Sequence, residues 1–310
     1  MNDSPSPLSR RKFLRDTAVT AGAAGMLGAM VSRAAAYPTA ARSADPTGTA
    51  LAVATICTDG FSNHHHDPAF RLVPQTGFTN VEFNLWYPDL LTPRYIDSLA
   101  ERCAASDLRP VSLQGSSFGG EGRNAVIHDV AHKLWFMEQA RRLGCRRVKF
   151  TGAPRDTHGG IEHVIKVCRE LAPAAEAMDV LLLLENHARN VLERPEDYAE
   201  IFAAIDSSHV GMCLDTCHFE GAGITLTSVV AQFRDRIQHV DLKDCAAFGK
   251  GHQTVVFGEG VTDFDPFLRD LIDGGYTGYL VVEMAWNQPR APIAANLSAA
   301  REMFTPYVRD

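Results

Sequence analysis

Short β-branched and leucine-rich runs alternate along this chain with longer segments of helical periodicity. The run Val180-Leu181-Leu182-Leu183-Leu184 is apolar at every position, which is typical of a parallel strand buried on both faces. Alternation of such strands with crossover helices predicts a parallel sheet. Eight strands are predicted: Ala50–Cys57, Asn80–Asn84, Pro110–Gln114, Arg147–Thr151, Val180–Asn186, Val210–Thr216, Gln238–Lys243 and Tyr279–Met284.

The segments between these strands repeat apolar residues at the helical spacing of three to four positions. Eight such units close into a barrel more readily than they extend an open sheet, and no GxGxxG motif follows the first strand. The predicted fold class is α/β, a (β/α)8 TIM barrel over residues 50–310, with a doubly wound open sheet as the alternative. The predicted helices are Tyr95–Ala105, Val126–Leu143, Ile161–Met178, Pro195–Ile205, Leu226–Phe233 and Phe264–Gly274.

The first 36 residues have the pattern of an export signal. Ser9-Arg10-Arg11-Lys12-Phe13-Leu14 precedes a weakly apolar run from Thr17 to Val31, and the small residues Ala34-Ala35-Ala36 follow it. This order of basic, apolar and small-residue regions is typical of a twin-arginine signal peptide. We expect cleavage after Ala36, a linker over residues 37–49, and a periplasmic or secreted protein exported by the twin-arginine machinery.

Charge and cysteine content narrow the function classes. Loss of residues 1–36 removes five basic and two acidic side chains, which changes the net charge from −7 to −10 and leaves 274 residues. This acidity disfavours a nucleic-acid partner. The seven cysteines are scattered, so neither a disulfide framework nor a zinc knuckle is indicated. We expect one soluble domain, and homo-oligomerisation stays open.

Acidic residues gather at the ends of four consecutive predicted strands. Strand five ends in Glu185, strand six in Asp215, strand seven contains Asp241, and strand eight ends in Glu283. The carboxyl ends of barrel strands form one rim, so these side chains are expected to meet. Buried carboxylates need a cation or protons to neutralise them, and oxygen ligands with imidazole suit Mn, Mg, Co or Zn. The sequence therefore predicts a divalent metal site, although each acid alone could be structural.

The same strand ends carry longer motifs. In order along the chain they are Leu184-Glu185-Asn186-His187, Leu214-Asp215-Thr216-Cys217-His218-Phe219, His239-Val240-Asp241-Leu242-Lys243-Asp244, Gly258-Glu259-Gly260 and Gly275-Tyr276-Thr277-Gly278-Tyr279-Leu280-Val281-Val282-Glu283. In order and spacing these motifs resemble the sugar phosphate isomerase/epimerase family of xylose isomerase-like barrels. The resemblance spans essentially the whole mature chain.

The resemblance implies a divalent ion held by Glu185, Asp215, a strand-seven residue and Glu283. It also implies that the two glutamates act as an acid/base pair, with His218 in contact with a substrate oxygen. The family commonly has His-x-His on strand seven and uses the second histidine as the ligand, whose place is taken here by Asp241. His239 lies two residues earlier on the same strand face. We favour Asp241 as the ligand and keep His239 as the alternative.

Other residues near the predicted rim are candidates for substrate binding. Lys149 and Lys243 could polarise a carbonyl or pair with buried acids. Trp86 and Trp286 follow strands two and eight, where aromatic faces stack on sugars or pack in the core. His64-His65-His66 follows strand one and could line the pocket. The predicted substrate contacts are His187, His218, Lys243 and Trp286.

These features predict an isomerase or epimerase that acts on a small-molecule sugar or keto-sugar. One of Glu185 and Glu283 would remove the proton next to the carbonyl and form an enediolate. Expulsion of a leaving group from the same enediolate would give a lyase or hydratase acting on 3-keto-glycosides. A non-catalytic sugar-binding barrel is a further alternative. A trinuclear zinc endonuclease of the same superfamily is disfavoured, because the net charge of −10 repels DNA.

Overall fold

The computed structural model describes residues 45–61, 65–119, 122, 124–156, 159–284 and 292–309. The chain divides into two units, Met1–Pro38 and Thr39–Asp310, and the described residues belong to the second. The predicted signal peptide, most of the predicted linker, His64 and Trp286 lie outside the described residues. The domain boundaries proposed from the sequence therefore stay predictions.

Among the described residues, eight parallel strands close into a barrel. Each strand pairs with its neighbours in the chain, and the first strand pairs with the last. This closure confirms the predicted (β/α)8 fold. The strands are β1 (Thr49–Ala54), β2 (Asn80–Asn84), β3 (Arg109–Gln114), β4 (Arg147–Thr151), β5 (Leu181–Glu185), β6 (Val210–Asp215), β7 (Ile237–Leu242) and β8 (Gly278–Val282).

Amphipathic helices follow the strands and cover the barrel. The six predicted helices are present, and each begins and ends within two residues of its predicted position. The hydrophobic periodicity of the sequence therefore predicted the positions of these helices in the outer layer of the barrel. The longer helices are Pro93–Ala105, Ala125–Leu143, Gly160–Met178, Pro195–Ala204, Leu226–Phe233, Phe264–Asp273 and Ile293–Phe304, and shorter ones are Ile56–Asp59, Asp67–Leu72 and Thr216–Gly221.

The first strand ends earlier than its apolar sequence predicts. The predicted strand continues to Cys57, whereas β1 ends at Ala54. The side chain of Asn84 causes the difference, because its Oδ1 accepts hydrogen bonds from Thr55 Oγ1 at 2.9 Å and Ile56 N at 2.8 Å. The chain therefore turns at Thr55 into a short helix at the rim of the barrel.

Three further features complete the description of the fold. A two-stranded antiparallel ribbon, Asp244–Cys245 with Thr254–Val255, follows β7 at the carboxyl end of the barrel. All seven cysteines fall in the described part of the chain, where they are buried and free of disulfides. No helix in this part is long and apolar enough to cross a bilayer.

Candidate active site

Four acidic side chains meet at the carboxyl ends of β5 to β8. One oxygen from each of Glu185, Asp215, Asp241 and Glu283 lies within 4.8 Å of the others, and all four side chains are buried. The strand pairing explains the meeting, because Asp215 is the direct register partner of Asp241 and Glu283 follows β8 at the same rim. The structure thus brings together the predicted acids.

Two lysine ammonium groups lie among these acids. Lys243 Nζ is 2.6 Å from Asp215 Oδ2 and 2.7 Å from Glu283 Oε1. Lys149, on β4, contacts Asp241 Oδ2 directly and lies 3.2 Å from Glu283 Oε2. Both lysines have pKa values well above the usual range, because burial, which opposes the charge, is outweighed by the surrounding carboxylates. Both therefore remain charged.

A further acid and His239 form a layer just below the rim. Glu82, on β2, lies with Oε1 2.8 Å from Lys149 Nζ. Its Oε2 is 3.0 Å from His239 Nε2 and accepts a hydrogen bond from Ser112 Oγ at 2.7 Å. His239 thus pairs with Glu82 and lies outside the four-acid group, whereas Asp241 belongs to that group. Sequence reasoning gave Glu82 no role, although polar residues at every second position of β2 indicated an inward-facing polar row.

The acids outnumber the ammonium groups. Within the described residues, the cluster holds five buried carboxyl groups and two buried lysines, so the acids exceed the ammonium groups by three. Asp241 Oδ1 has no hydrogen-bond partner, and burial of such an oxygen is costly. A divalent cation fits this excess of acids and this set of oxygen donors. The five acids are Glu82, Glu185, Asp215, Asp241 and Glu283.

The two glutamates have different proton affinities. Burial raises the pKa of Glu185 to about 7. The negative charges of Glu283 and Asp215 also raise this pKa, whereas Lys149 and Lys243 lower it. Burial also acts on Glu283, but Lys149 and Lys243 outweigh it and lower the pKa of Glu283. A pair of carboxyl groups whose pKa values are driven apart in this way is suited to act as acid and base.

Backbone and amide contacts hold the strand ends in place. Asn186 Nδ2 donates to the Asp215 carbonyl at 2.9 Å, and Asp215 N donates to Asn186 Oδ1 at 2.7 Å. Asp215 Oδ1 accepts from His218 N at 3.0 Å and so caps the helix Thr216–Gly221. This cap fixes one oxygen of Asp215 and leaves the other directed at Lys243.

A cavity of about 680 Å³ opens above the acids, with Glu185, Glu283 and Lys243 at its base. Phe61 and Trp86 form an aromatic wall, with their rings stacked at a centroid distance of 5.1 Å and an angle of 23°. A cavity of this kind, with few placed polar groups and an aromatic wall, is typical of small-molecule sites.

Three histidines form another wall of the cavity. The ring centroid of His218 lies 4.1 Å from that of His187 and 4.5 Å from that of His252. Burial lowers the pKa of all three rings, so they are neutral and can both donate and accept hydrogen bonds. The predicted contacts His187, His218 and Lys243 therefore line the cavity, whereas sequence reasoning assigned Phe61 no role.

Residues 70–305 match the family model of the xylose isomerase-like TIM barrel. The chain belongs to this family. Among curated proteins, the inosose dehydratase of Geobacillus kaustophilus is 28% identical over 140 residues, which cover 40% of this chain and 43% of that protein. The inosose dehydratase of Yersinia enterocolitica is 26% identical over 200 residues, which cover 54% of this chain and 66% of that protein. The chain thus spans less than two thirds of the length of these relatives.

Solved structures share the fold of this family member. The IolI protein with a bound zinc atom has a TM-score of 0.70 and 20% identity, and the match covers 84% of this chain and 99% of that one. A D-tagatose 3-epimerase-like protein has a TM-score of 0.66 and 18% identity, with coverage of 83% and 96%. At these identities the likeness establishes the barrel and leaves the chemistry to the residues of the site.

Proposed function

We propose that this barrel is a divalent-metal-dependent isomerase or epimerase of a sugar or keto-sugar. The observation that carries the proposal is the placement of Glu185 and Glu283 at the base of one cavity, beside Asp215 and with one oxygen of each acid within 4.8 Å of the others. Two carboxyl groups that face the same small-molecule cavity can remove a proton from carbon and return it.

Glu185, Asp215 and Glu283 would hold the ion. When bound, such an ion polarises a carbonyl oxygen and so acidifies the neighbouring C–H bond. An all-carboxylate donor set favours Mg or Mn over Zn, because zinc sites more often include imidazole or thiolate.

The side chains of the cavity have separate tasks in this proposal. Glu283, which the two lysines keep ionised, accepts the proton from the carbon next to the carbonyl and leaves an enediolate. Glu185, in its protonated form, can deliver a proton to the other face or the adjacent carbon. His187, His218 and His252 donate to and accept from sugar hydroxyl groups.

A lyase is the second candidate. It is supported by the inosose dehydratases among the relatives, whose name describes loss of water from their own substrate. In this chain the same proton removal by Glu283 would be followed by expulsion of a hydroxyl or glycosyl group from the β-carbon. Glu185 would then protonate the leaving oxygen, so the two reactions use the same two groups.

Proton exchange distinguishes these candidates. The purified protein, loaded with Mn²⁺ and then with Mg²⁺, would be incubated in D₂O with free ketoses and with 3-keto-glycosides, and analysed by NMR. Deuterium at the carbon next to the carbonyl together with a new isomer supports the isomerase, and appearance of an unsaturated product supports the lyase. Absence of exchange with every substrate and both metals would reject proton abstraction.

Matched variants test the assigned groups. Glu185→Gln and Glu283→Gln should each lower the exchange rate about 100-fold or more, as expected when a general acid or base is lost. Glu162→Gln, at an exposed position on the helix Gly160–Met178, should keep the wild-type rate. Full exchange in either site variant would contradict the proposed acid/base pair.

We also propose that the mature protein is periplasmic or secreted. The support is the twin-arginine pattern at Arg10 and Arg11, which precedes an apolar run and a small-residue triplet. The double variant Arg10→Lys/Arg11→Lys should keep the full chain in the cytoplasm, whereas the control Arg33→Lys should be exported. Equal periplasmic fractions for both would contradict this localisation.

A further inference from the structure

Lys149 is enclosed by acids and has no access to the cavity. Its side chain is fully buried, and it does not line the cavity that Lys243 lines. Its ammonium contacts Asp241 Oδ2 and lies 2.8 Å from Glu82 Oε1 and 3.2 Å from Glu283 Oε2. The ammonium donates hydrogen bonds to Asp241 and Glu283 and forms an ion pair with Glu82.

Asp241 is the acid most closely tied to this lysine. Its Oδ2 is in contact with Lys149 and also accepts from Cys213 Sγ at 3.1 Å. Its Oδ1 lies 3.7 Å from His239 Nε2, in the layer below the rim. A buried ammonium is strongly destabilising without a counter-charge. Among the rim acids, Asp241 therefore makes the shortest contact with Lys149, whereas Glu283 and Glu185 lie 3.2 and 3.9 Å from the same ammonium.

The two lysine side chains differ in whether they can move out of the cluster when an ion binds. Lys243 bridges Asp215 and Glu283 from the cavity side, so its long side chain can move into the cavity when another cation takes its place. Lys149 has no such exit, because it lies inside the barrel between β2, β7 and the end of β8. Its positive charge therefore stays beside the acids whether or not an ion binds.

We propose that Lys149 competes with the divalent ion for the rim acids, because Lys149 keeps Asp241 as its own counter-ion. The ion is then held by Glu185, Asp215 and Glu283, and it binds more weakly than a site with four rim acids would bind it. This inference rests on the metal site of the proposed function. It assigns to Lys149 the control of metal affinity and to Asp241 the role of a positioning residue.

Binding of Mn²⁺ alone, measured by isothermal titration calorimetry on the purified protein, tests the assignment. Asp241→Asn keeps the shape of the side chain but leaves the Lys149 charge without its counter-ion, so it should weaken binding by no more than about 10-fold, whereas Asp215→Asn should weaken binding about 100-fold, as loss of a direct ligand does. Lys149→Met should tighten binding about 10-fold or more, because Asp241 and the local negative charge become available to the ion.

A double variant and a surface control complete the experiment. The gain in Lys149→Met should be lost in Lys149→Met/Asp241→Asn, because the freed acid is then absent. Lys166→Met, which removes an exposed charge 3.5 Å from Glu162, should bind Mn²⁺ as the wild type does. Urea unfolding would establish that each variant is folded. If Lys149→Met does not fold, the comparison of Asp241→Asn with Asp215→Asn still decides the role of Asp241.

The outcomes separate this inference from the proposed function. If Asp241→Asn weakens binding as much as Asp215→Asn, or if folded Lys149→Met binds no more tightly than wild type, the inference is wrong and the metal-dependent function stands. If wild type binds no Mn²⁺ but Lys149→Met does, the competition by Lys149 is supported, whereas the metal-dependent function and the assignment of the ion to Glu185, Asp215 and Glu283 are rejected. If neither protein binds Mn²⁺, both are rejected.

Discussion

Gln114 Nε2 donates a hydrogen bond to Glu185 Oε2 at 2.9 Å, so the end of β3 fixes the orientation of a carboxylate on β5. The other end of the Gln114 amide accepts from Asn84 Nδ2, at the end of β2. All three side chains are buried. A chain of amides across neighbouring strand ends therefore holds the proposed acid/base group in one position.

The first prediction concerns this amide. Gln114→Met removes the donor to Glu185 while it keeps the volume of the side chain. A hydrogen bond to a charged group contributes about 1.5–3 kcal/mol, so we expect kcat for proton exchange to fall about 10- to 100-fold. KM should change less than kcat, because Gln114 itself lines the cavity but its replacement leaves the aromatic and histidine walls intact.

Gln75→Met provides the matched control. Gln75 is exposed and its Nε2 donates only to the Arg71 carbonyl at 2.7 Å, so its replacement should leave kcat and KM unchanged. A wild-type kcat in Gln114→Met would show that Glu185 is oriented without this contact.

The second prediction concerns a separate buried ion pair behind the cavity wall. Lys133 contacts Asp129, and Asp129 Oδ2 also lies 2.8 Å from His163 Nε2 and accepts from Gly119 N at 2.8 Å. Lys133→Met leaves the Asp129 charge buried without its ammonium, which should lower the free energy of unfolding by about 3–5 kcal/mol. Urea unfolding of the variant and the wild type measures this loss.

The double variant Asp129→Asn/Lys133→Met removes both charges and should recover part of the stability, because no uncompensated charge remains. Lys166→Met is the surface control, since Lys166 is 60% exposed and its pair with Glu162 spans 3.5 Å. This exposed pair should contribute less than about 1 kcal/mol. An equally small loss in Lys133→Met would mean that water reaches Asp129 and replaces the lysine.

The third prediction is an acid-dependent loss of stability at His66. Its Nδ1 is 2.7 Å from Tyr95 Oη and its Nε2 is 3.1 Å from the Asn84 carbonyl. Burial lowers the pKa of His66 to about 4 from an ordinary value of 6.5. Between these two pH values the imidazole of His66 is protonated in the unfolded chain and neutral in the folded chain. The free energy of unfolding therefore falls as the pH drops from about 6.5 towards 4. At pH 4.5 the loss should be about 2–3 kcal/mol.

Asp59 acts in the opposite direction, because burial raises its pKa to about 6. The folded chain keeps a proton on Asp59 that the unfolded chain has released. The contribution of Asp59 to the free energy of unfolding therefore grows as the pH falls from about 6. Comparison with His66→Gln isolates the histidine. The variant should lose less stability between pH 7 and pH 4.5 than the wild type, whereas the exposed control His128→Gln should follow the wild type. Parallel curves for His66→Gln and wild type would contradict the assignment.

The barrel and the rim acids could be predicted because each follows from a local pattern. A run such as Val180 to Leu184 is long and apolar enough to mark a buried strand, and an acid directly after it must lie at the rim. Glu185, Asp215, Asp241 and Glu283 were placed on four consecutive strands by this reasoning, and they lie together in the structure.

The pairing inside the barrel could not be predicted in the same way. Glu82 and Lys149 are 67 residues apart in the sequence, and their contact depends on the radius of the closed barrel and on which residues of β2 and β4 point inward. The early end of β1 likewise depends on an amide from β2. The hydrophobic periodicity of one segment does not show which side chain of another segment will contact it.

The last prediction concerns the aromatic wall. Phe61 stacks on Trp86 although its own side chain is 53% exposed, so both rings present apolar faces to a ligand in the cavity. An aromatic contact of this kind contributes about 0.5–1.5 kcal/mol, and Trp86→Leu should therefore raise KM about 2- to 10-fold. Because the ring is expected to act on binding of the sugar alone, kcat should stay within about 2-fold of the wild type. Trp135→Leu, on the outer helix Ala125–Leu143, is the matched control and should leave both constants unchanged. A fall in kcat without a change in KM would mean that Trp86 orders the reacting groups and does not bind the sugar face.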